Sequence, residues 1–329
     1  MAMMLRFDLR APGLEGEELA SFYEAAIEMC EWADRLGFYG VSLSEHHGSP
    51  DGYLPSSAVM AAAIGARTKY LAINIWAIPA PFHDPLRLAE DLAVADIISN
   101  GRMGVAIAGG YVESEFAMFD RQLADRPRLV TEMIETLDLA WSGESFEFRG
   151  RRVQVLPRPV QRPRIPIMMG GASRAAARRA ARIADGFIPS LPEFWDDYRT
   201  ACVEFGKADP GPAPTQGESF HYIAEDPESA WAEIAPYCVH EVNSYAQWFT
   251  GSNAKSDYSD GGSELEPLDA VGVRALGIYP VLTPDEAIAE CRRIGPFGAF
   301  TLHPLCGGMP PELAWKSLRL FEGSVLPAL

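Results

Sequence analysis

A parallel α/β barrel of eight strand-helix units is the fold this sequence predicts, and three observations point to it. Strand and helix signals alternate along most of the chain, the pattern that calls for a parallel sheet with helices outside it. The span from Tyr70 to Tyr111 reads as strand, helix, strand and glycine pair. The 329 residues accommodate one barrel, which takes about 250 residues, with room for an insertion.

The first strand is expected at Leu5 to Leu9 and the first helix at Glu17 to Leu36, followed by a strand at Gly40 to Glu45 and a helix at Pro55 to Ala66. The third strand, Leu71 to Ile78, is almost continuously apolar and interrupted by Asn74, as expected for a strand covered on both faces. Asp84 then caps a helix with Pro85 at its first position, and Asn100-Gly101 closes it. The fourth strand, Met103 to Gly110, carries Gly104, Ala106, Ala108 and Gly110 on one face. A missing layer of side chains implies the close approach of another backbone or a flat ligand.

A helix from Pro127 to Trp141 precedes an excursion containing Phe146 to Gly150. The fifth strand spans Ile165 to Met169, with a helix at Ser173 to Ala184. The sixth is Gly186 to Pro189, with a helix at Glu193 to Gly206. Phe220 to Ala224 is the expected seventh strand, Phe297 to Leu302 the eighth, and Glu312 to Phe321 the closing helix. More than seventy residues separate the last two strands, too many for a simple crossover. Thr283-Pro284-Asp285-Glu286 reads as a capped helix start, so the true connection runs from Thr283 to Ile294 and the stretch of about 227–275 is an insertion. Its polar, glycine-rich segment Gly251 to Ser263 suggests a mobile loop that forms a lid, a linker or a contact between subunits.

Composition narrows the function classes. With 48% hydrophobic residues the chain can bury a large core, yet no apolar run approaches the roughly 20 residues that span a bilayer. The N-terminus has no secretory pattern, which makes the protein an expected cytoplasmic one with no membrane partner. A net charge of −17 repels phosphate backbones and argues against nucleic acid binding. The five cysteines lie far apart without metal-type spacing, so they are expected to be reduced and structural, and no metal is expected.

His46 ends the second strand on the same face as Ser42 and Ser44, a position suited to a barrel mouth, and imidazole moves protons near neutral pH. His47 is a weaker candidate, and Glu45 is expected to orient a neighbour. Gly109, Gly110 and Tyr111 either admit a ligand to the backbone or form a tight turn covered by the tyrosine ring. Gly170-Gly171-Ala172-Ser173-Arg174 combines close backbone, a helix N-terminus and a fixed cation, which together suit an anion. Arg178, Arg179 and Arg182 continue along that helix as an expected solvated face. Asn74 and Trp76 share a face of the third strand with Ala77 at its end, and His303, just past the eighth strand, is placed to face the same cavity.

Several of these segments together carry a resemblance. They are Ser44-Glu45-His46-His47, His83-Asp84-Pro85-Leu86-Arg87-Leu88-Ala89-Glu90-Asp91, Asp96 to Arg102, Gly109-Gly110-Tyr111 with Glu115-Phe116, Pro157 to Pro163, Gly170 to Arg174, and His303-Pro304-Leu305. In these the chain resembles the bacterial-luciferase-like, flavin-dependent monooxygenases from about residue 5 to its end. The resemblance implies a single (β/α)8 TIM-barrel domain across 1–329. It also implies reduced FMN supplied by a separate flavin reductase, molecular oxygen, a small organic substrate and a homodimer. It places His46 beside the flavin as the catalytic acid-base group. The flavin phosphate falls at Gly170, Gly171, Ser173 and Arg174, and the ring between Asn74, Trp76 and Ala77 on one side and Gly109, Gly110 and Tyr111 on the other. His47 and His303 remain candidates for the substrate pocket, whose apolar wall would come from Trp76, Phe82, Tyr111, Phe187 and Trp248. Some members carry a basic residue near the fourth strand's end, which Gly109 and Gly110 cannot supply. A subset of the family uses a deazaflavin coenzyme for hydride transfer, and related barrels persist as non-catalytic flavin-binding subunits, so both stand as alternatives.

Overall fold

The computed structural model of the chain describes residues 1–213, 218–250 and 266–329. Its first half alternates strands β1 (Ala2–Phe7), β2 (Gly40–Leu43), β3 (Ala72–Pro79) and β4 (Met103–Ala108) with helices α1 (Gly16–Arg35), α2 (Ser57–Arg67) and α3 (Pro85–Ser99). A short helix α4 (Glu113–Met118), the helix α5 (Arg126–Ala140) and a hairpin of β5 (Phe146–Phe148) and β6 (Arg151–Val153) follow. Next come β7 (Ile167–Gly171), α6 (Arg174–Ile183), β8 (Gly186–Pro189), α7 (Phe194–Glu204) and β9 (Tyr222–Ile223). The chain then forms α8 (Pro227–Thr250), α9 (Ala270–Ala275), β10 (Val281–Leu282), α10 (Pro284–Ile294), β11 (Ala299–Leu302) and α11 (Pro311–Leu320).

Local signals account for many of the boundaries. Asp84 accepts hydrogen bonds from the amides of Leu86 and Arg87 at the start of α3, and Asn100 ends it with φ of 55°. Thr283 and Glu286 form a reciprocal capping box at α10, and Ser173 caps α6. Arg102 donates to the carbonyls of Gly65, Thr68, Leu71 and Ser99, joining the ends of α2 and α3. The first strand is shifted toward the N-terminus, because Leu9 adopts a positive φ of 52° that ends extended pairing before it.

Seven strands form one parallel sheet in the order β11-β1-β2-β3-β4-β7-β8, so the first and last strands of the chain's barrel-like path lie side by side. The side chains of Leu5, Phe7, Val41, Leu43, Ile73, Ile75, Val105, Ile107 and Ile167 are all fully buried in the core. The opposite set is in register across four strands, Arg6 beside Ser42, Ser42 beside Asn74, and Asn74 beside Gly104. Alternation therefore gives an apolar outer face under the helices and an inner face of polar and small residues.

The expected seventh strand, Phe220 to Ala224, departs from a closed ladder. β9 pairs in parallel with β10 as a separate two-stranded sheet, and among the described residues no ladder joins β8 to β11. His221 makes the lateral contact to β11 by its side chain, with Nδ1 2.8 Å from the Thr301 carbonyl and its ring 4.0 Å from that of Phe300. A side chain occupies the place of a backbone ladder there.

The stretch at 227–275 was expected to hold a mobile loop, and its described part is largely helix. α8 runs for 24 residues, and its Glu241 and Tyr245 reach Arg6 on the inner face of β1. The glycine-rich segment, Gly251 to Ser263, lies outside the described residues. At α8 the backbone of Gly307, with φ of 59°, approaches so closely that an added Cβ would stand 2.1 Å from the Tyr237 carbonyl oxygen. All five cysteines are free and buried. No helix among the described residues is long and apolar enough to cross a membrane.

Candidate active site

A cavity of about 380 Å³ opens where the C-terminal ends of β3, β4, β7 and β8 converge. Trp76 and Ala77 form one wall, Ala106, Ala108, Gly109, Gly110 and Tyr111 the floor, and Gly170, Gly171 and Ser173 the far end. Trp76 is 41% exposed, an unusual state for a tryptophan inside a strand. The Trp76–Ala77 peptide is cis, and the pairing of β3 with β4 shifts register between Trp76 and Ile78.

The small residues serve three different purposes. Gly104 makes room for Asn74, since an added Cβ would stand 2.7 Å from Asn74 Oδ1. Gly171 makes room for α6, since its Cβ would meet that of Ala176 at 2.5 Å. Ala106, Ala108, Gly109 and Gly170 line the cavity with no bulky side chain. Asn74 itself lies outside the cavity lining, and its Nδ2 is buried without a hydrogen bond.

The cations at this site differ from expectation. Arg174 is 86% exposed and pairs with Asp197 at 3.4 Å, outside the cavity lining, because the first residue of α6 projects to solvent. Arg126 and Arg179 line the cavity instead. Arg126 is partly engaged, donating to the carbonyls of Leu123 and Gly110 at 3.0 and 3.2 Å. Burial, followed by the positive charge of Arg182, lowers the Arg179 pKa from its ordinary value, the condition an anionic ligand would relieve. A legible signal existed for Arg179: it is three residues beyond Ala176, on the helical face that also meets the cavity. Arg178 on the neighbouring face binds Glu204 at the surface.

His46 sits in the loop after β2, and its Nδ1 lies 2.8 Å from Glu115 Oε1 at α4. Nε2 points toward the Tyr111 hydroxyl 3.5 Å away, which places it one side chain from the cavity. The imidazole packs edge-on to Tyr53, with ring centroids 4.8 Å apart, and lies 4.3 Å from Trp248 of α8, leaving the side chain 12% exposed. Glu115 stood in the sequence only as part of a pattern, since nothing local shows which histidine it meets. Trp248 covers His46 and does not line the cavity, whereas Phe187 packs in the buried core against Tyr198.

His47 and His303, expected at a substrate pocket, are not among the residues that line this cavity. His47 is held between Phe82 and Phe119 and approaches Glu45. His303 is wholly buried beneath the sheet's inner face, 3.7 Å from both Asp8 and Glu241. Burial acts to lower its pKa, but the charge of Glu241 and the contact with Asp8 outweigh it and carry it to about 10. The same polar interior holds Arg10 over the rings of Tyr53, Tyr245 and Trp248, at 4.6, 4.7 and 4.8 Å. Arg10 also pairs with Asp51, so one guanidinium ties the loops after β1 and β2 to α8.

Residues 2–295 match the sequence profile of the luciferase-like monooxygenases. The oxygenase component of the flavin-dependent trigonelline monooxygenase of Acinetobacter baylyi is 30% identical over 83% of this chain and 76% of its own length. An FMNH2-dependent dimethylsulfone monooxygenase of Pseudomonas putida is 26% identical over 63% of this chain and 64% of its own. Among solved structures, a monooxygenase of Streptomyces bottropensis superimposes with a TM-score of 0.78 at 26% identity, covering 99% of both chains.

Proposed function

The chain belongs to the luciferase-like monooxygenase family, and from that membership we propose that it uses reduced FMN and molecular oxygen to oxidise a small organic substrate. The observation that carries this reading is the cavity itself, in which a floor of glycine and alanine adjoins the underneutralised Arg179 and the Tyr111–His46–Glu115 chain. The residues fit a flat, anionic cofactor: Gly109 and Gly170 admit a ring close to the backbone, Trp76 offers an exposed aromatic face, and Arg179 offers charge.

Bound flavin would supply the electrons that activate oxygen. Trp76, Ala77, Ala108 and Gly109 would hold its ring, while Arg179 and the hydroxyl of Ser173 would hold its phosphate, taking the part first expected of Arg174. Glu115 accepts a hydrogen bond from Nδ1–H of His46, which would leave Nε2 to exchange a proton with Tyr111 at the cavity edge. Trp248 and Tyr53 keep water from that imidazole.

A relative described as an oxygenase component suits a two-component system, so a separate reductase is expected to deliver the reduced flavin. The parallel sheet is read as the wall of a single (β/α)8 domain, with 227–275 inserted between its seventh and eighth strands. The protein is read as a cytoplasmic homodimer. Titration of purified protein with FMN, followed by oxygen consumption with reduced FMN, tests the reading. No binding of FMN at micromolar concentration, or turnover only with a reduced deazaflavin under anaerobic conditions, removes it.

A further inference from the structure

Beside the flavin site, Glu45, His47 and His83 converge without a role in the chemistry just described. One ligand atom from each lies within 4.8 Å of the other two. Glu45 Oε1 is 3.4 Å from His47 Nε2 and 2.6 Å from His83 Nε2. We propose that this trio is a binding site for a divalent first-row transition metal, zinc in the first instance, that clamps the loop after β2 to the start of α3.

The donor set is the first argument. Two imidazoles and a carboxylate suit zinc with three protein ligands and an open fourth position. Bonds of about 2.1 Å at tetrahedral angles separate ligand atoms by about 3.4 Å, the spacing already present between Glu45 and His47. The closer contact with His83 is a hydrogen bond, which a cation would replace as the two groups move apart.

His47 supplies the second, independent argument. Its side chain is only 10% exposed, and its buried Nε2 has no hydrogen bond while aimed at the Glu45 carboxylate. An imidazole nitrogen buried without a partner costs about 1–3 kcal/mol unless something fills the place. The surroundings also resemble those of metal ligands. Ser57 donates both its amide, at 3.2 Å, and its hydroxyl to Glu45 Oε2, which fixes the carboxylate with Oε1 facing the histidines. The rings of Phe82 and Phe119 hold His47 in place. His83 is 24% exposed and borders a surface cavity shared with Asp84 and Asp120, so a cation has a path in.

This site is separate from the flavin reading and is tested without it. Tag-free protein is freed of metal with a chelator and titrated with Zn²⁺ by calorimetry and with Co²⁺ by visible absorption. One saturable equivalent is expected, with cobalt bands of a four-coordinate site. His83→Ala should weaken zinc by at least tenfold, and Ser57→Ala, which spares every ligand, by about 10–100-fold. Absence of saturable zinc binding in the wild type overturns the proposal. So does an affinity unchanged in His83→Ala, and the wild-type cobalt spectrum decides alone where that variant fails to fold.

Discussion

Glu115 Oε1 stands 2.8 Å from His46 Nδ1 and 2.7 Å from the backbone amide of His47, so one carboxylate oxygen holds two consecutive residues of the loop after β2. The carboxylate is 1% exposed, and its partner bond fixes which imidazole nitrogen is free to face Tyr111. His46→Ala should therefore lower turnover by about 10²–10⁴-fold while flavin binding persists. Glu115→Gln keeps the shape but presents an amide, and should lower turnover by roughly 10²-fold and displace the pH profile of kcat. Unchanged pH dependence in Glu115→Gln would remove Glu115 from the positioning role.

Arg179 and Arg174 lie on the same helix and differ in what they face. Arg179→Ala should weaken FMN by about 10–100-fold, the loss of one charge-assisted hydrogen bond of about 1.5–3 kcal/mol. Arg174→Ala, which removes an exposed pair with Asp197, should leave FMN affinity within about twofold. Fluorescence quenching of the flavin measures both, and the reverse order of effects would restore Arg174 to the phosphate.

Gly171 is needed for packing, since its Cβ would fall on Ala176 of α6. Gly171→Ala should cost about 1–3 kcal/mol, and thermal unfolding should show a Tm lower by roughly 2–4 °C for each kcal/mol lost. Gly170→Ala meets only Ala108, at 3.2 Å, within the cavity lining. It should spare the Tm and weaken FMN, and equal effects on both properties in the two variants would undo this division.

His303 has a pKa raised from 6.5 to about 10, so the folded state binds its proton more tightly than the unfolded chain does. The stability this contributes is fully present below about pH 6.5 and is lost as pH rises through about 10. Urea unfolding of wild type and His303→Gln across pH 6 to 10 should show the gap between them narrowing with rising pH. A constant gap would mean that folding leaves the pKa of this histidine unshifted, and a gap that widens with pH that the folded protein holds it neutral.

Much of the fold was legible in short stretches of sequence. Asp84-Pro85, Asn100-Gly101, Ser173 and Thr283-Pro284 act on backbone groups within a few residues, so their helix ends follow from local chemistry. The buried runs of β3 and β4 follow equally, because a strand covered on one face by helices must be apolar there. The reading failed where the partner is distant. That Glu115 would reach His46, that Arg179 would turn inward while Arg174 turned out, and that α8 would bring Glu241, Tyr245 and Trp248 onto the sheet's inner face all depend on separate elements docking together.

By itself the sequence determined a parallel α/β chain with its helix caps, its glycine and alanine strand face and a histidine shortly after a strand, since each of these acts over one or two turns of backbone. Tertiary structure alone decided which glycines serve packing and which the cavity, which arginine the cavity receives, and that His303 is entombed between Asp8 and Glu241. The reason is that charge and space are properties of a place, and places here are built from residues up to about 300 positions apart in a chain that brings β11 beside β1.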